Sequence, residues 1–121
     1  MAFNLIARNQ DDHVKNIAFL MDRSGRWSLS PAFDMTYAYQ PSGQWTNRHQ
    51  MSVNGKRDDF IREDFERCAA SASMKRGRPG AILDQVREAV ANWTTHAAEA
   101  GVSEADTERI ARAHRLEIPR S

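Results

Sequence analysis

The stretch Arg8-Asn9-Gln10-Asp11-Asp12-His13-Val14-Lys15-Asn16 runs directly into Ile17-Ala18-Phe19-Leu20-Met21. The first nine residues are polar except Val14, and the five that follow are all apolar. Such a junction predicts a polar loop feeding a buried strand. An acid, an imidazole, a cation and an amide are packed into this loop. A further carboxylate, Asp34, lies downstream in Ser30-Pro31-Ala32-Phe33-Asp34.

Residues 17–29 read as a β-hairpin. Ile17, Phe19 and Met21 alternate on one side, and Trp27 and Leu29 alternate on the return. Asp22-Arg23-Ser24-Gly25 between them is turn chemistry, with Gly25 able to take positive φ. Pro31 ends the pairing because proline has no N–H to donate to a ladder. Asp34 then follows a strand–turn–strand unit.

Upstream, residues 1–8 predict the last turns of an apolar helix, with Phe3, Leu5 and Ile6 on it and Arg8 suited to its C-terminus. A helix this short is not stable alone. The chain is therefore expected to begin inside an element, with a true start at Met1 as the alternative, and the helix to lack packing partners. Downstream, residues 35–50 have no clean period. Pro41, Ser42 and Gly43 mark a turn in a surface loop carrying Tyr37, Tyr39 and Trp45. His49 to Val53 predicts a short strand, and Asn54-Gly55 a tight turn, giving a second, smaller hairpin over 48–60.

From residue 61 the period becomes helical. Ile61, Phe65, Cys68, Ala69 and Ala72 share one face. Gly77, Pro79 and Gly80 predict a break. Ile82, Val86, Val90, Trp93, Ala97 and Ala100 then define one longer helix, with Gly101 as its left-handed terminator. Ser103-Glu104-Ala105-Asp106 resembles a capping box with Asp in place of Glu. A last helix runs to about His114, and the tail past it is expected to fray.

Composition sets the bounds. At 121 residues the chain is one domain at most, with 40% hydrophobic and 27% charged residues, as in an ordinary globular domain. Lys plus Arg is 17 against 16 Asp plus Glu, so the balance offers no case for nucleic acid or an anionic membrane. No apolar run approaches the roughly 20 residues that span a bilayer. The N-terminus lacks the pattern of a secretory signal. A single cysteine, Cys68, excludes an intrachain disulfide, and a reducing cytoplasm is the default location. Cys68 sits on an apolar helix face and reads as core before nucleophile. Four scattered histidines and one cysteine give no zinc spacing.

Asp11 and Asn16 are spaced Asp-x-x-x-x-Asn. In a kinase catalytic loop the Asp accepts or orients the proton of the attacking hydroxyl, and the Asn holds magnesium against the phosphates. A second Asp, reached after a hairpin, completes the ligation. Magnesium takes few protein oxygens, so one amide and one carboxylate suffice. Here the order is Asp11, Lys15, Asn16, hairpin, Asp34, and Lys15 is placed to neutralise the phosphoryl group in flight. The same run also fits a solvated loop, because Asp, Asn and His favour turns for local reasons. The arrangement alone does not separate the two.

A resemblance does. Asn9-x-Asp11-x-His13-x-Lys15-Asn16, then Leu29-Ser30-Pro31-Ala32-Phe33-Asp34, then Asn54-Gly55-Lys56, resembles the C-terminal region of the HipA family, the serine/threonine kinase toxins of HipA–HipB toxin–antitoxin pairs. The likeness covers most of the chain, from loop to helical tail. It implies an α+β, mostly α fold: the helical C-terminal lobe of a kinase, with a hairpin after the catalytic loop and a helical bundle at the end. One domain over 1–121 would divide into 1–34 with the catalytic loop and metal-binding Asp, 35–60 with a loop and small hairpin, and a helical part over 61–115.

By this resemblance Asp11 takes the place of the catalytic Asp, and Asn16 and Asp34 those of the magnesium ligands. His13 and Lys15 are candidates for contact with substrate or phosphate, although a lone His in such a loop is more often structural. Asp12 departs from the small Gly or Ala often found after the catalytic Asp. The implied cofactors are Mg²⁺ and ATP. The implied partners are a HipB-like antitoxin, through which alone DNA is reached, and a translation-linked protein substrate such as an aminoacyl-tRNA synthetase.

The six glycines are dispersed, so no Gly-rich loop is present to cover nucleotide phosphates. Only ten residues precede Asp11, too few for an N-terminal lobe. The expectation is a truncated segment that is inactive alone. A non-catalytic module that binds a HipB-like antitoxin, or a separately encoded N-terminal part, is the alternative.

Overall fold

The computed structural model describes residues 1–120. It is mixed α/β and mostly helical. The order is α1 (Ala2–Ile6), a 3₁₀ turn (Val14–Asn16), β1 (Phe19–Met21), β2 (Trp27–Leu29), α2 (Arg62–Ser71), α3 (Arg78–Ala91), α4 (Trp93–Glu99) and α5 (Glu104–Ala113). The two strands form one antiparallel hairpin.

The short α1 lies at the centre of the core. Leu5 and Ile6 are almost wholly buried, in a cluster with Ala7, Val53, Phe60, Phe65, Leu83 and Val90. This corrects the expectation of a helix short of partners. α1 packs on α3, and Leu116 and Ile118 from beyond α5 close over the same cluster. Tertiary burial stabilises a helix that propensity alone would not. Arg8 ends it in the left-handed region at φ 59°. The Asn9 N–H returns to the Asn4 carbonyl at 2.9 Å, the closure usually given to glycine. The Arg8 side chain anchors this strained position: Nε donates to the Ala113 carbonyl at 2.8 Å, and the guanidinium lies over the Tyr39 ring.

The hairpin forms with the register Phe19–Leu29, Leu20–Ser28 and Met21–Trp27. Asp22 Oδ1 accepts from the Ser24 and Arg26 amides, and Gly25 sits at φ 83°. The strand after the polar loop is not buried, however. Phe19, Trp27 and Leu29 are each more than 60% exposed, and Leu20 and Met21 more than half. Alternation marks which face is apolar, and nothing in these residues covers that face.

The second hairpin shrinks to one bridge, Val53 with Lys56, around Asn54 at φ 51° and Gly55 at φ 78°. Positive φ at both central residues is the tight turn that Asn-Gly favours. The turn docks onto a buried carboxylate. Asp64, 1% exposed in the first turn of α2, accepts from Asn54 Nδ2 at 2.8 Å, Lys56 Nζ at 2.9 Å and the Ile61 N–H at 2.9 Å. Lys56 is thus paired within the chain.

The helices differ from the periodicity in two places. Pro79 and Gly80 lie inside the first turn of α3, after Gly77 at φ 81°. Proline tolerates this place because its absent N–H would be unpaired there anyway. The long helix is two, split at Asn92, whose Nδ2 donates to the Glu88 carbonyl and competes with the backbone ladder. Gly101 ends α4 as expected, at φ 73°, with the Val102 N–H on the Ala97 carbonyl at 2.9 Å. Ser103 caps α5: its Oγ accepts from the Asp106 N–H and donates to the Asp106 carboxylate.

The tail is pinned, against the expectation of fraying. The Arg115 N–H donates to the Ile6 carbonyl at 2.8 Å, and the Pro119 carbonyl accepts from the Arg62 N–H at 2.9 Å. Among the described residues no helix is long and apolar enough to cross a membrane.

Candidate phosphoryl-transfer loop

The loop runs from Arg8 to Asn16 and carries its chemistry at both ends. The carbonyl of Arg8 accepts from the Ala38 N–H, and the Gln10 N–H donates to the Ala38 carbonyl at 2.9 Å, so the start of the loop is tied to the segment after Asp34. Asn9, 2% exposed, donates from Nδ2 to the Asp34 carbonyl at 2.9 Å and to Asn4 Oδ1 at 3.3 Å. Asp34 itself is at φ 54°, a left-handed conformation that Asp tolerates better than most residues. The far end closes in the 3₁₀ turn, with the Asn16 N–H on the His13 carbonyl at 3.1 Å.

Asn16 joins the two places that the sequence singled out. Its Nδ2 donates to the Asp11 carbonyl at 3.0 Å and to Asp34 Oδ2 at 2.7 Å. Both acceptors fix the amide's orientation, because only the nitrogen end can donate. Oδ1, on the same amide, makes no hydrogen bond among the described residues. An amide oxygen and a carboxylate side by side are hard oxygen donors, the set that suits magnesium with waters and phosphates completing its shell. The residues present fit the ion. Among the described residues no group of three or more His, Cys, Asp or Glu side chains is gathered as a metal site, so an all-carboxylate or zinc-type centre is not offered.

The Asp11 carboxylate is half exposed and makes no hydrogen bond among the described residues; His13 Nε2 lies 3.9 Å from it. Lys15 is exposed on the 3₁₀ turn and unpaired among the described residues. His13 Nδ1 and Asn9 Oδ1 are buried without partners. Both residues line a cavity of about 480 Å³, which also borders Asn16, Phe33 and Asp34.

Beneath the loop lies a buried polar chain that local sequence reading missed. Asp12 and His49, both essentially inaccessible, meet at 2.7 Å between Oδ2 and Nδ1. Asp12 Oδ1 accepts from the Gln50 N–H at 2.8 Å and the Met51 N–H at 3.3 Å. Burial by itself would raise the Asp12 carboxyl, but the interaction with His49 and the two amides outweighs it and holds the group below the usual carboxylate range. His49 Nε2 lies 2.8 Å from Arg115 Nη1, and Arg115 also donates to Asp58 and to the Leu5 carbonyl. Guanidinium has no acceptor, so Nε2 must accept and Nδ1 must carry the proton toward Asp12. The one sequence signal was that Asp12 occupied a place where the resemblance expects a small residue. Nothing local to His49 or Arg115 announced the pairing.

Residues 1–94 match the family model described as HipA-like C-terminal domain. No curated protein and no solved structure matches the chain.

Proposed function

The chain belongs to the HipA-like C-terminal domain family, and from this membership and the loop geometry we propose that it carries the phosphoryl-transfer segment of a HipA-like serine/threonine protein kinase toxin. The observation behind the reading is the Asn16 amide, whose nitrogen is spent on the Asp11 carbonyl and the Asp34 carboxylate while its oxygen stays free. Asn16 Oδ1 and the Asp34 carboxylate would hold the ion. Magnesium bound there supplies neutralisation of the phosphate charge. Asp11, half exposed, accepts the proton of the Ser or Thr hydroxyl as its oxygen bonds to the γ-phosphorus and the bond to ADP breaks. Lys15 offers a mobile cation to the transferring group, and His13 borders the cavity beside it. The helical part then corresponds to a kinase C-lobe. A translation-linked protein such as an aminoacyl-tRNA synthetase is the substrate class, a HipB-like antitoxin the partner, DNA a contact only through it, and the cytoplasm the location.

No Gly-rich phosphate loop occurs among the 121 residues, so this segment by itself is expected to turn over no ATP. The site is tested with Mn²⁺ as a paramagnetic stand-in. Amide signals of residues 9–16 and 32–35 should broaden, and Asp34→Ala should abolish the effect. Broadening centred elsewhere, or unchanged in Asp34→Ala, would sink the assignment. Phosphate incorporation from Mg-ATP into a Ser/Thr acceptor, lost in Asp11→Ala, would overturn the expectation of inactivity while supporting the chemistry.

A second reading has its own observation. Phe19, Met21, Trp27 and Leu29 form an exposed apolar face on the hairpin. Large uncovered patches mark interaction sites. A non-catalytic module binding an antitoxin, or a separately encoded N-terminal part, would use this face and leave Asp11 dispensable.

A further inference from the structure

We propose that Arg115, His49 and Asp12 form a positioning relay that sets the geometry of the Asn16–Asp34 pair from the C-terminal tail. The inference rests on the metal reading above and adds residues to it that the loop motif does not contain.

The physical path is continuous. Arg115 is held by the α1 carbonyl of Leu5, by Asp58 and by Gln10 Oε1, and its ring neighbour Phe60 lies 5.4 Å from the guanidinium carbon. Its Nη1 donates to His49 Nε2, which commits the imidazole proton to Nδ1. That proton is donated to Asp12 at 2.7 Å, and two backbone amides grip the other carboxylate oxygen. Asp12 shares its peptide plane with the Asp11 carbonyl, because that carbonyl belongs to the bond between them. The same carbonyl accepts from Asn16 Nδ2, and Asn16 reaches Asp34. Anchoring Asp12 therefore fixes the plane that orients the Asn16 amide. Arg115 lies 104 residues along the chain from Asp11, yet only hydrogen bonds and one peptide plane separate them.

Outer partners of metal ligands typically govern affinity by about 10- to 100-fold. The relay predicts the lower end, since it acts through the backbone. Asp12→Asn is the sharpest perturbation. Its oxygen can keep the Gln50 and Met51 amides, which turns an NH₂ toward His49 Nδ1. The imidazole must then move its proton to Nε2, against the Arg115 donor. Both contacts cannot be satisfied at once. Arg115→Met removes the other end without touching the loop.

Two readouts on the full 121-residue chain test the proposal. The first is the His49 tautomer, by long-range ¹H–¹⁵N correlation. The unaltered protein should show the neutral Nδ1–H form, and Asp12→Asn should shift it toward Nε2–H. A different form in the unaltered protein overturns the relay without any variant. The second is Mn²⁺ affinity in variants whose circular dichroism and amide dispersion remain native. Asp12→Asn and Arg115→Met should each bind about tenfold more weakly. Folded variants that bind like the unaltered chain would refute the relay. Binding unaffected by Asp34→Ala would instead sink the metal assignment, and an Nδ1–H tautomer seen alongside would place the fault there and not in the buried chain.

Discussion

Neutralising Asp64 should destabilise the fold in a way that disappears in acid. Asp64 is 1% exposed and accepts from Asn54, Lys56 and the Ile61 N–H, all within 2.9 Å. Burial would raise its pKa, but the three donors outweigh that and lower it from 3.8 to about 2. Lowering the pKa from 3.8 to about 2 is worth at most about 2–3 kcal/mol. Lys56 is 40% exposed, so solvent screening reduces this to about 1–2 kcal/mol. A depressed carboxyl pKa contributes stability above its unfolded value and loses it as pH falls through the folded one. The contribution is therefore full near pH 6, about half gone by pH 3, and lost below about pH 2. Asp64→Asn removes the charge while keeping an acceptor, so it should cost about 1–2 kcal/mol at pH 6 in urea unfolding. The gap to the unaltered protein should narrow by about half at pH 3. A gap that stays constant from pH 6 to pH 3 would refute the assignment of this stability to the ionised carboxylate. Asp64→Ala, which leaves the Ile61 N–H and the Asn54 amide unpaired, should cost more, about 3–5 kcal/mol.

Leu5→Ala should cost about 2–5 kcal/mol despite lying in a five-residue helix, because its side chain is fully buried at the centre of the core; a urea midpoint near that of the unaltered protein would contradict the packing. The double change Phe19→Ser and Trp27→Ser should reduce self-association measured by light scattering, while shifting unfolding by less than about 0.5 kcal/mol. Loss of several kcal/mol would mean that the hairpin is core after all.

The hairpin, the two glycine-terminated turns at 55 and 101, the Ser103 cap and the end of the last helix were legible in the sequence. Each depends on a residue acting within a few positions of itself. Gly101 takes positive φ at no steric cost, and Ser103 finds its N–H three residues on. The candidate site was legible in part for the same reason. Asp11 and Asn16 are close in sequence, and the intervening hairpin is what returns the chain to Asp34, so spacing carried the contact. The errors have one cause as well. The exposed strands, the central α1 and the pinned tail all turn on what lies opposite an element, and periodicity says nothing of that. The split at Asn92 is a different case, where a side-chain amide competes with the ladder that apolar spacing implies.

By itself the sequence determined the local conformations, the order of the polar loop, hairpin and helices, and the residue types that could serve phosphoryl transfer, because these follow from φ/ψ preference and from chemistry carried on neighbouring side chains. Only the tertiary structure decided that Leu5 and Ile6 are core, that Lys56 is committed to Asp64, and that Arg115 reaches beneath Asp12 through His49. Burial and long-range pairing depend on which surfaces meet once the chain has closed. For residues 8–16 this means that local chemistry is carried by the loop itself, while hydrogen bonds from the distant tail reach Asp12 through His49.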